Sequence, residues 1–498
     1  MHVSHRDDAG VDRTHGYCKH LAPSELRLAA LTAGFAPAPR EDFRYLELGF
    51  GHGVSVGFHA AATDGTYWGT DANPAHAARA RSLAAASGAR THLSDDSFWE
   101  FAVRRDLPEF DYIALHGVWS WISDENRDVI VDLIRRKLAP GGIAYLSYDT
   151  SPGCAPDVPV RQLLSLFTGR GADADALQCA SDVLQARDGD GDGHAAMSRH
   201  LDALGALDGR DRVQASGSAD WTMATFSETA ARLGGARLTF AGSTRLLDNV
   251  ESFRLTPDKR RLLDRIDDRL LRETAKDFLT NARGRSDVYV KGGRPMADEE
   301  LSAHWAGQRF VLTTHVSELP RHVVLPPGTI RLDDRVPGEV VAALAEDGYA
   351  PRTIAALCAH PRLGTASVDE VIAALLLLAG TGHASLAQTP STEVVARCDR
   401  LNRHVCERAR VDDAVEYLAS PVTGGAIHVS RIGLLFLDAV HQGRDTVQGL
   451  TRYLRTFLQP GDTVRRDRLP GDARTAFEPM AVRFLTSTLP MLRALQAA

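Results

Sequence analysis

The sequence predicts an α/β protein whose first third is a parallel sheet covered by helices on both faces, and three observations carry that expectation. Short apolar runs alternate with helical patterns from Arg44 to Ser147. A loop with glycine at every second position joins the first of those runs to a helical segment. Acidic residues stand at the ends of three successive runs. Alternation of this kind marks strands that pair in parallel and need crossover helices between them.

Taken in order, the segment before residue 41 is polar at first and ends in Pro37-Ala38-Pro39-Arg40, a stiff lead-in. Arg44–Leu48, Tyr67–Thr70, Tyr112–Leu115 and Gly142–Ser147 read as buried strands. Pro74–Ser87 and Asp124–Leu138 read as helices between them. The second starts at a Ser123 cap with two acids in its first turn and stops at Pro140-Gly141-Gly142. Past Pro152, the alanine- and leucine-rich stretch Arg161–Leu207, broken by a Gly/Asp cluster, predicts a helical insertion. Arg237–Gly242 and Val288–Val290 read as strands. Between them, Thr256 caps a long helix with Leu262, Leu263, Ile266, Leu270 and Leu271 at helical spacing. Pro326-Pro327-Gly328 marks a boundary. Residues 335–385 give three short helices and a Gly380–Gly382 turn, the pattern of a winged-helix module, and 391–498 is mostly helical with a loop at Ser420–Gly425. The expected domains are thus 1–153, 154–325, 326–390 and 391–498.

Composition narrows the class. The chain has 498 residues, 44% hydrophobic and 24% charged, so it can bury several cores without disulfide or metal support. A net charge of −7 disfavours a general nucleic-acid coat. The cysteines (Cys18, Cys154, Cys179, Cys358, Cys398, Cys406) include no C-x-x-C pair, which fits reduced thiols in a cytoplasm. The first ten residues lack the apolar stretch of a signal peptide. The longest apolar run, Val371–Ala379, falls well short of the roughly 18 residues a membrane span needs. The expectation is a cytoplasmic protein with no membrane insertion and no nucleic-acid partner.

The strongest chemical signal is Glu47-Leu48-Gly49-Phe50-Gly51-His52-Gly53, between an apolar strand and a helical segment. Glycines at alternate positions let the backbone approach a ligand with no Cβ in the way. A dinucleotide fingerprint would put its third glycine at 54, which is Val54. The spacing found instead resembles motif I of class I S-adenosylmethionine (SAM) methyltransferases. Asp71, 18 residues after Gly53, ends the second strand, where a carboxylate can accept both ribose hydroxyls. Asp95 and Asp96 follow the third strand, and one of them can accept the adenine amino group. Asn73 and Ser97 stand beside these acids as further cofactor candidates. The fourth and fifth strands end in His116–Trp121 and Ser147–Gly153, the loops that in this fold face the transferable methyl. Methyl transfer is an in-line displacement, so the protein positions the nucleophile and excludes water. Aromatic faces hold a sulfonium or an incoming amine by cation–π attraction. His116, Trp119, Tyr148 and Asp149 are the catalytic candidates, with Trp121 beside them. The competing reading of Trp119 and Trp121 is core packing at the sheet edge, and no single residue emerges as a base.

Further segments extend the likeness: Gly16-Tyr17, Trp68–His76, Asp95–Phe98, Leu115–Asp124, Phe240–Thr244, Leu255–Pro257, Asp287–Gly292 and Tyr417–Gly425. Together the chain resembles a bacterial family of class I methyltransferases that carry a methyltransferase regulatory domain. Its characterised members include rickettsial enzymes that methylate lysines of outer-membrane proteins. The resemblance implies a Rossmann-like methyltransferase sheet, a mixed and helical middle domain, and a mostly helical carboxyl-terminal region containing a winged helix. It implies SAM as cofactor, S-adenosylhomocysteine as product, a lysine amine of a protein or peptide as acceptor, and a homodimer as one expected state. It places Glu47, Gly49, Gly51 and Gly53 at the SAM loop, Asp71 on the ribose, Asp96 on the adenine, and Tyr17 and His116 among the cofactor contacts. Two departures bear on the acceptor. The fifth-strand motif Tyr-Asn-x-x-Pro-Gly-Trp reads Tyr148-Asp149-Thr-Ser-Pro-Gly-Cys154 here, which adds a carboxylate and removes an aromatic wall. Phe50 also replaces a small residue or cysteine. A small-molecule methyltransferase and a SAM-sensing interaction protein are the alternatives.

Other patterns carry less. Asp188–Gly193 imitates a calcium loop, but its twelfth position is Arg199 where a bidentate Glu is needed. Val368–Leu378 is acidic and then apolar, unlike a base-reading helix. Arg465–Arg468 is short and interrupted by an acid, and no histidine spacing suits a metal.

Overall fold

The computed structural model describes residues 16–35, 42–168, 176–185, 221–458, 463–464, 467–468 and 473–498. Strand β1 (Arg44–Leu48) sends Leu46 and Leu48 to one face and Tyr45 to the other, as pleating requires. It sits inside a sheet with β2 (Thr66–Thr70), β3 (Thr91–Ser94), β4 (Phe110–Leu115), β5 (Leu138–Asp149), β6 (Leu238–Ser243) and β7 (Gly284–Lys291). The order is β3-β2-β1-β4-β5-β7-β6. Strands β1 to β5 are parallel, whereas β7 runs antiparallel to both β5 and β6. The sheet is therefore mixed, not wholly parallel. Its last two strands come from beyond residue 153, so the boundary expected there cuts through one sheet.

Helices α1 (Pro23–Thr32), α2 (Val54–Ala62) and α3 (Pro74–Ser87) bury Leu26, Val56 and Ala80 against one face, with Tyr45, Tyr67 and Tyr145. Helices α4 (Phe98–Ala102), α5 (Asp124–Lys137) and the helix Phe226–Gly234 bury Phe101, Ile130 and Phe226 against the other. The ends follow cap chemistry. Asn73 accepts from the Ala75 amide and Gly88 closes α3 in the left-handed region, while Ser123 accepts from the Asn126 amide to open α5. Helices α6 (Asp157–Thr168) and α7 (Ala176–Gln185) follow β5. The rest of the expected insertion, the calcium-like pattern, the Pro37–Arg40 lead-in and Arg465-Arg466 lie outside the described residues.

The long helix expected after Thr256 is two, Pro257–Leu263 and Arg269–Thr280. Asp268 opens the second by accepting from the Leu271 amide at 2.7 Å, a cap that breaks an otherwise continuous apolar pattern. Beyond β7, strand β8 (Arg309–Leu312) lies between β11 (Arg352–Thr353) and β12 (Ala384–Leu386), antiparallel to both. Helices Arg335–Tyr349, Ile354–Cys358 and Val368–Gly380 pack on this small sheet through Leu344, Leu357 and Leu375. Pro326-Pro327 is the turn of the hairpin β9 (His322–Leu325) and β10 (Gly328–Arg331), so the boundary expected at 326 falls within this unit.

The helix Thr392–Arg408 closes over α2, all nine residues of which are buried. Arg397, fully buried, donates to the Thr63 carbonyl at 2.6 Å and pairs with Asp64 and Glu393. The Ser420–Gly425 loop joins β13 (Tyr417–Ser420) to β14 (Gly425–His428). No helix among the described residues is long and apolar enough to cross a membrane.

Candidate active site

The site grows from the turn between β1 and α2. Gly49, Gly51 and Gly53 have φ of 73°, 56° and 73°. Space forbids side chains at two of them. A Cβ at Gly49 would stand 2.5 Å from Val118 Cγ2, and one at Gly53 would stand 2.2 Å from Ala80 Cβ. The loop thus runs hard against the β4 loop on one side and α3 on the other. Asp71, at the end of β2, braces it. Its Oδ2 accepts from the Gly51 amide at 2.8 Å, while Oδ1 accepts from the Asn73 amide at 3.1 Å and lies 3.0 Å from His76 Nδ1. Asn73 spends its side chain on the α3 cap.

Glu47 is buried, and its Oε2 has no hydrogen-bond partner among the described residues. Burial first, and the neighbouring Asp71 carboxylate second, push Glu47 up to about 8. A cation beside it would relieve both penalties, and the amino group of SAM is such a cation. An orphaned buried carboxylate beside a side-chain-free loop therefore fits this cofactor. Between the ordinary carboxylate range and about 8, the folded protein holds a proton that the unfolded chain has lost. Stability should fall as pH rises through that window and level off above it. Glu47→Gln, neutral throughout, is expected to flatten the fall, which unfolding midpoints measured from about pH 5 to about pH 9 will report. An unchanged slope in the variant would remove Glu47 from this role.

At the end of β3, Asp95 is exposed and 3.5 Å from Arg81, whereas Asp96 pairs with Arg104 at 3.0 Å. The Thr70 hydroxyl donates to the Asp96 carbonyl, which draws this turn toward β2. Ser97 caps α4 in a reciprocal arrangement with Glu100. His116, immediately after β4, has Nδ1 at 2.8 Å from the Tyr145 hydroxyl and Nε2 at 3.5 Å from Cys18 Sγ. Cys18 also donates its amide to Ser55 Oγ at 2.8 Å, which lays the 16–18 segment across the start of α2. Cys18 was missed by reading the sequence, although the adjoining Gly16-Tyr17 pair pointed there.

Three expected site residues sit elsewhere. The Tyr17 hydroxyl lies 2.9 Å from His59 Nε2 and accepts from the Ala426 amide at 3.0 Å, so it joins α2 to β14 instead of meeting the glycine loop. Trp119 is buried in the core beneath α5, the packing alternative realised. Tyr148 donates to Asp287 Oδ2 at 2.7 Å inside a buried charge cluster. Strand alternation sends consecutive side chains of β5 to opposite faces, and Tyr148 falls on the face of Ala144 and Leu146. Asp149 takes the other side. Its amide donates to Ser120 Oγ at 2.8 Å, and its Oδ2 accepts from Trp221 Nε1 at 2.8 Å.

Glycine loop, acids and strand ends thus share one edge of the sheet, where open α/β folds bind ligands. Residues 46–142 match the family model of a methyltransferase domain, and residues 218–291 that of a predicted methyltransferase regulatory domain. An uncharacterised protein of Synechocystis is 29% identical over 473 residues, covering 92% of each chain. An uncharacterised protein of Rickettsia prowazekii is 30% identical over 154 residues, 29% of this chain and 58% of that one. In fold, the chain is similar to PKMT2 from Rickettsia typhi in complex with AdoHcy, with a TM-score of 0.69, 16% identity, and 97% and 99% of the two chains covered. Fold and site together define a class I methyltransferase. The protein is a SAM-dependent enzyme in which a methyltransferase domain is joined to a methyltransferase regulatory domain. That second domain contributes β6 and β7, so it completes the catalytic sheet.

Proposed function

We propose that this enzyme transfers a methyl group to a lysine amine of a protein or peptide. The observation that carries the reading is the cluster of Trp121, Trp221 and Asp149 at the ends of β4 and β5, two indole faces and a carboxylate that suit a cationic side chain. The likeness in fold to PKMT2 over nearly the whole chain, and the large accessory body around the sheet, support a macromolecular acceptor. In this reading Glu47, the glycine loop, Asp71 and Asp96 hold SAM, His116 lines the cofactor side, and residues 309–386 form a winged-helix unit that presents the acceptor. The reaction takes place in the cytoplasm.

SAM, when bound, supplies an electrophilic methyl, and the C–S electron pair stays on sulfur as that methyl leaves. The acceptor arrives as an ammonium. One proton passes to water, and the nitrogen lone pair forms the new C–N bond. Asp149 and the indoles orient the chain that carries this nitrogen, which lowers the entropic part of the barrier. The test uses methyl-labelled SAM, the purified enzyme and an extract lacking the gene, with protein separated from small molecules. Label in a protein band is expected. Label confined to the small-molecule fraction would replace this reading with a small-molecule acceptor.

A further inference from the structure

The aromatic pair at the mouth already holds a cation. The Arg161 guanidinium, on α6, lies 4.7 Å from the Trp121 ring centroid and 4.3 Å from that of Trp221, between the two indoles. Trp221 is fixed by its bond to Asp149, and the next residue, Thr222, donates its amide to the Ser120 carbonyl at 2.8 Å. Arg127 reaches Thr222 from α5, and Thr150 bridges to Ala224. Both walls are therefore built onto the sheet edge at β4 and β5, whereas the occupant arrives from the helix that follows. Asp157, one turn before Arg161, pairs with Arg283 at 2.7 Å and fixes the start of α6.

We propose that the slot between Trp121 and Trp221, with Asp149 at its base, is the seat of the acceptor's cationic side chain, and that Arg161 occupies it as an internal competitor until acceptor binds. This rests on the lysine reading above and adds to it a specificity pocket and an occupant that must leave. The physical basis is simple. A guanidinium and an alkylammonium are both cations that indole faces attract, so they compete for one slot. The guanidinium stays protonated at any ordinary pH, so it has no free lone pair with which to attack SAM and is not consumed.

Two measurements test it. Arg161→Gln and Arg161→Ala should lower KM for the protein acceptor about tenfold, with SAM affinity unchanged as the sign of an intact fold. Tetramethylammonium chloride, titrated while tryptophan fluorescence is followed, should quench Arg161→Ala saturably. It should leave the wild type and Arg161→Ala/Trp221→Ala unaffected. An unchanged or raised KM in both Arg161 variants, or the absence of saturable quenching in Arg161→Ala, overturns the proposal. The lysine reading fails separately, if the label proves to lie on an atom other than a lysine nitrogen, whatever the titration gives.

Discussion

Gly53→Ala is expected to abolish measurable SAM binding while leaving a folded protein. The added Cβ would lie 2.2 Å from Ala80 Cβ and 2.8 Å from its Cα, and backbone of α3 cannot swing aside as a flexible side chain can. At φ of 73° the new residue also carries the left-handed penalty of about 1–2 kcal/mol. Overpacking adds about 1–3 kcal/mol. The cheapest relief is to push the start of α2 outward, which drags Gly51 from Asp71 and opens the loop. Calorimetry on wild type and variant would read this directly. Affinity within threefold of the wild type would mean that the loop does not hold the cofactor.

The largest stability effect should come from Arg285. Its guanidinium is buried and surrounded by three carboxylates: Asp287 at 2.9 Å, Asp277 at 2.8 Å and Glu273 at 3.0 Å. The Phe226 ring lies 4.4 Å beneath it, and Tyr148 adds its hydroxyl to Asp287. Burial already pushes Asp277 up to about 7 against the pull of Arg285. Removing the cation leaves Asp277 and Asp287 buried without it, while Glu273 retains Lys276 at 3.8 Å, and breaking a buried pair in this way typically costs about 3–5 kcal/mol. Arg285→Ala should therefore shift the main urea transition strongly. Asp277 and Asp287, which burial already raises, titrate higher still without the cation, so the loss is larger at about pH 8 than at about pH 5.5, where their protonation relieves it. Neutralising all three acids with Asn or Gln in an Arg285→Met background should recover most of the midpoint. A shift below about 1 kcal/mol at the higher pH would show that the cluster contributes little.

This cluster also separates what the sequence makes legible from what it hides. Asp124–Leu138 carries its own start signal in Ser123, and β1, β2, β4 and β5 announce themselves as apolar runs. These are local signals. Strand direction is not, so the antiparallel β7 and β6 could not be read from Val288–Val290 and Arg237–Gly242. Apolar spacing runs through Ile266 without a gap, which hid the break that Asp268 makes. The glycine loop and Asp71 were legible because close backbone approach leaves a fixed pattern of residue types. Tyr148 and Asp149 read as one strand end, and only alternation along β5 separates the side chain that meets Asp287 from the one that meets Trp221. Trp221 and Arg161 belong to the mouth only through contacts across dozens of residues, for which no pattern in the chain exists.

In the proposed function, cofactor loop and cation slot form one site acting on a lysine. The most direct measurement is tandem mass spectrometry of the protein labelled by the wild-type enzyme, with the Gly53→Ala variant as control. Methyl groups on lysine nitrogens are expected, absent from the control. Methyl groups on a carboxylate, on another side chain or on no protein at all would contradict it.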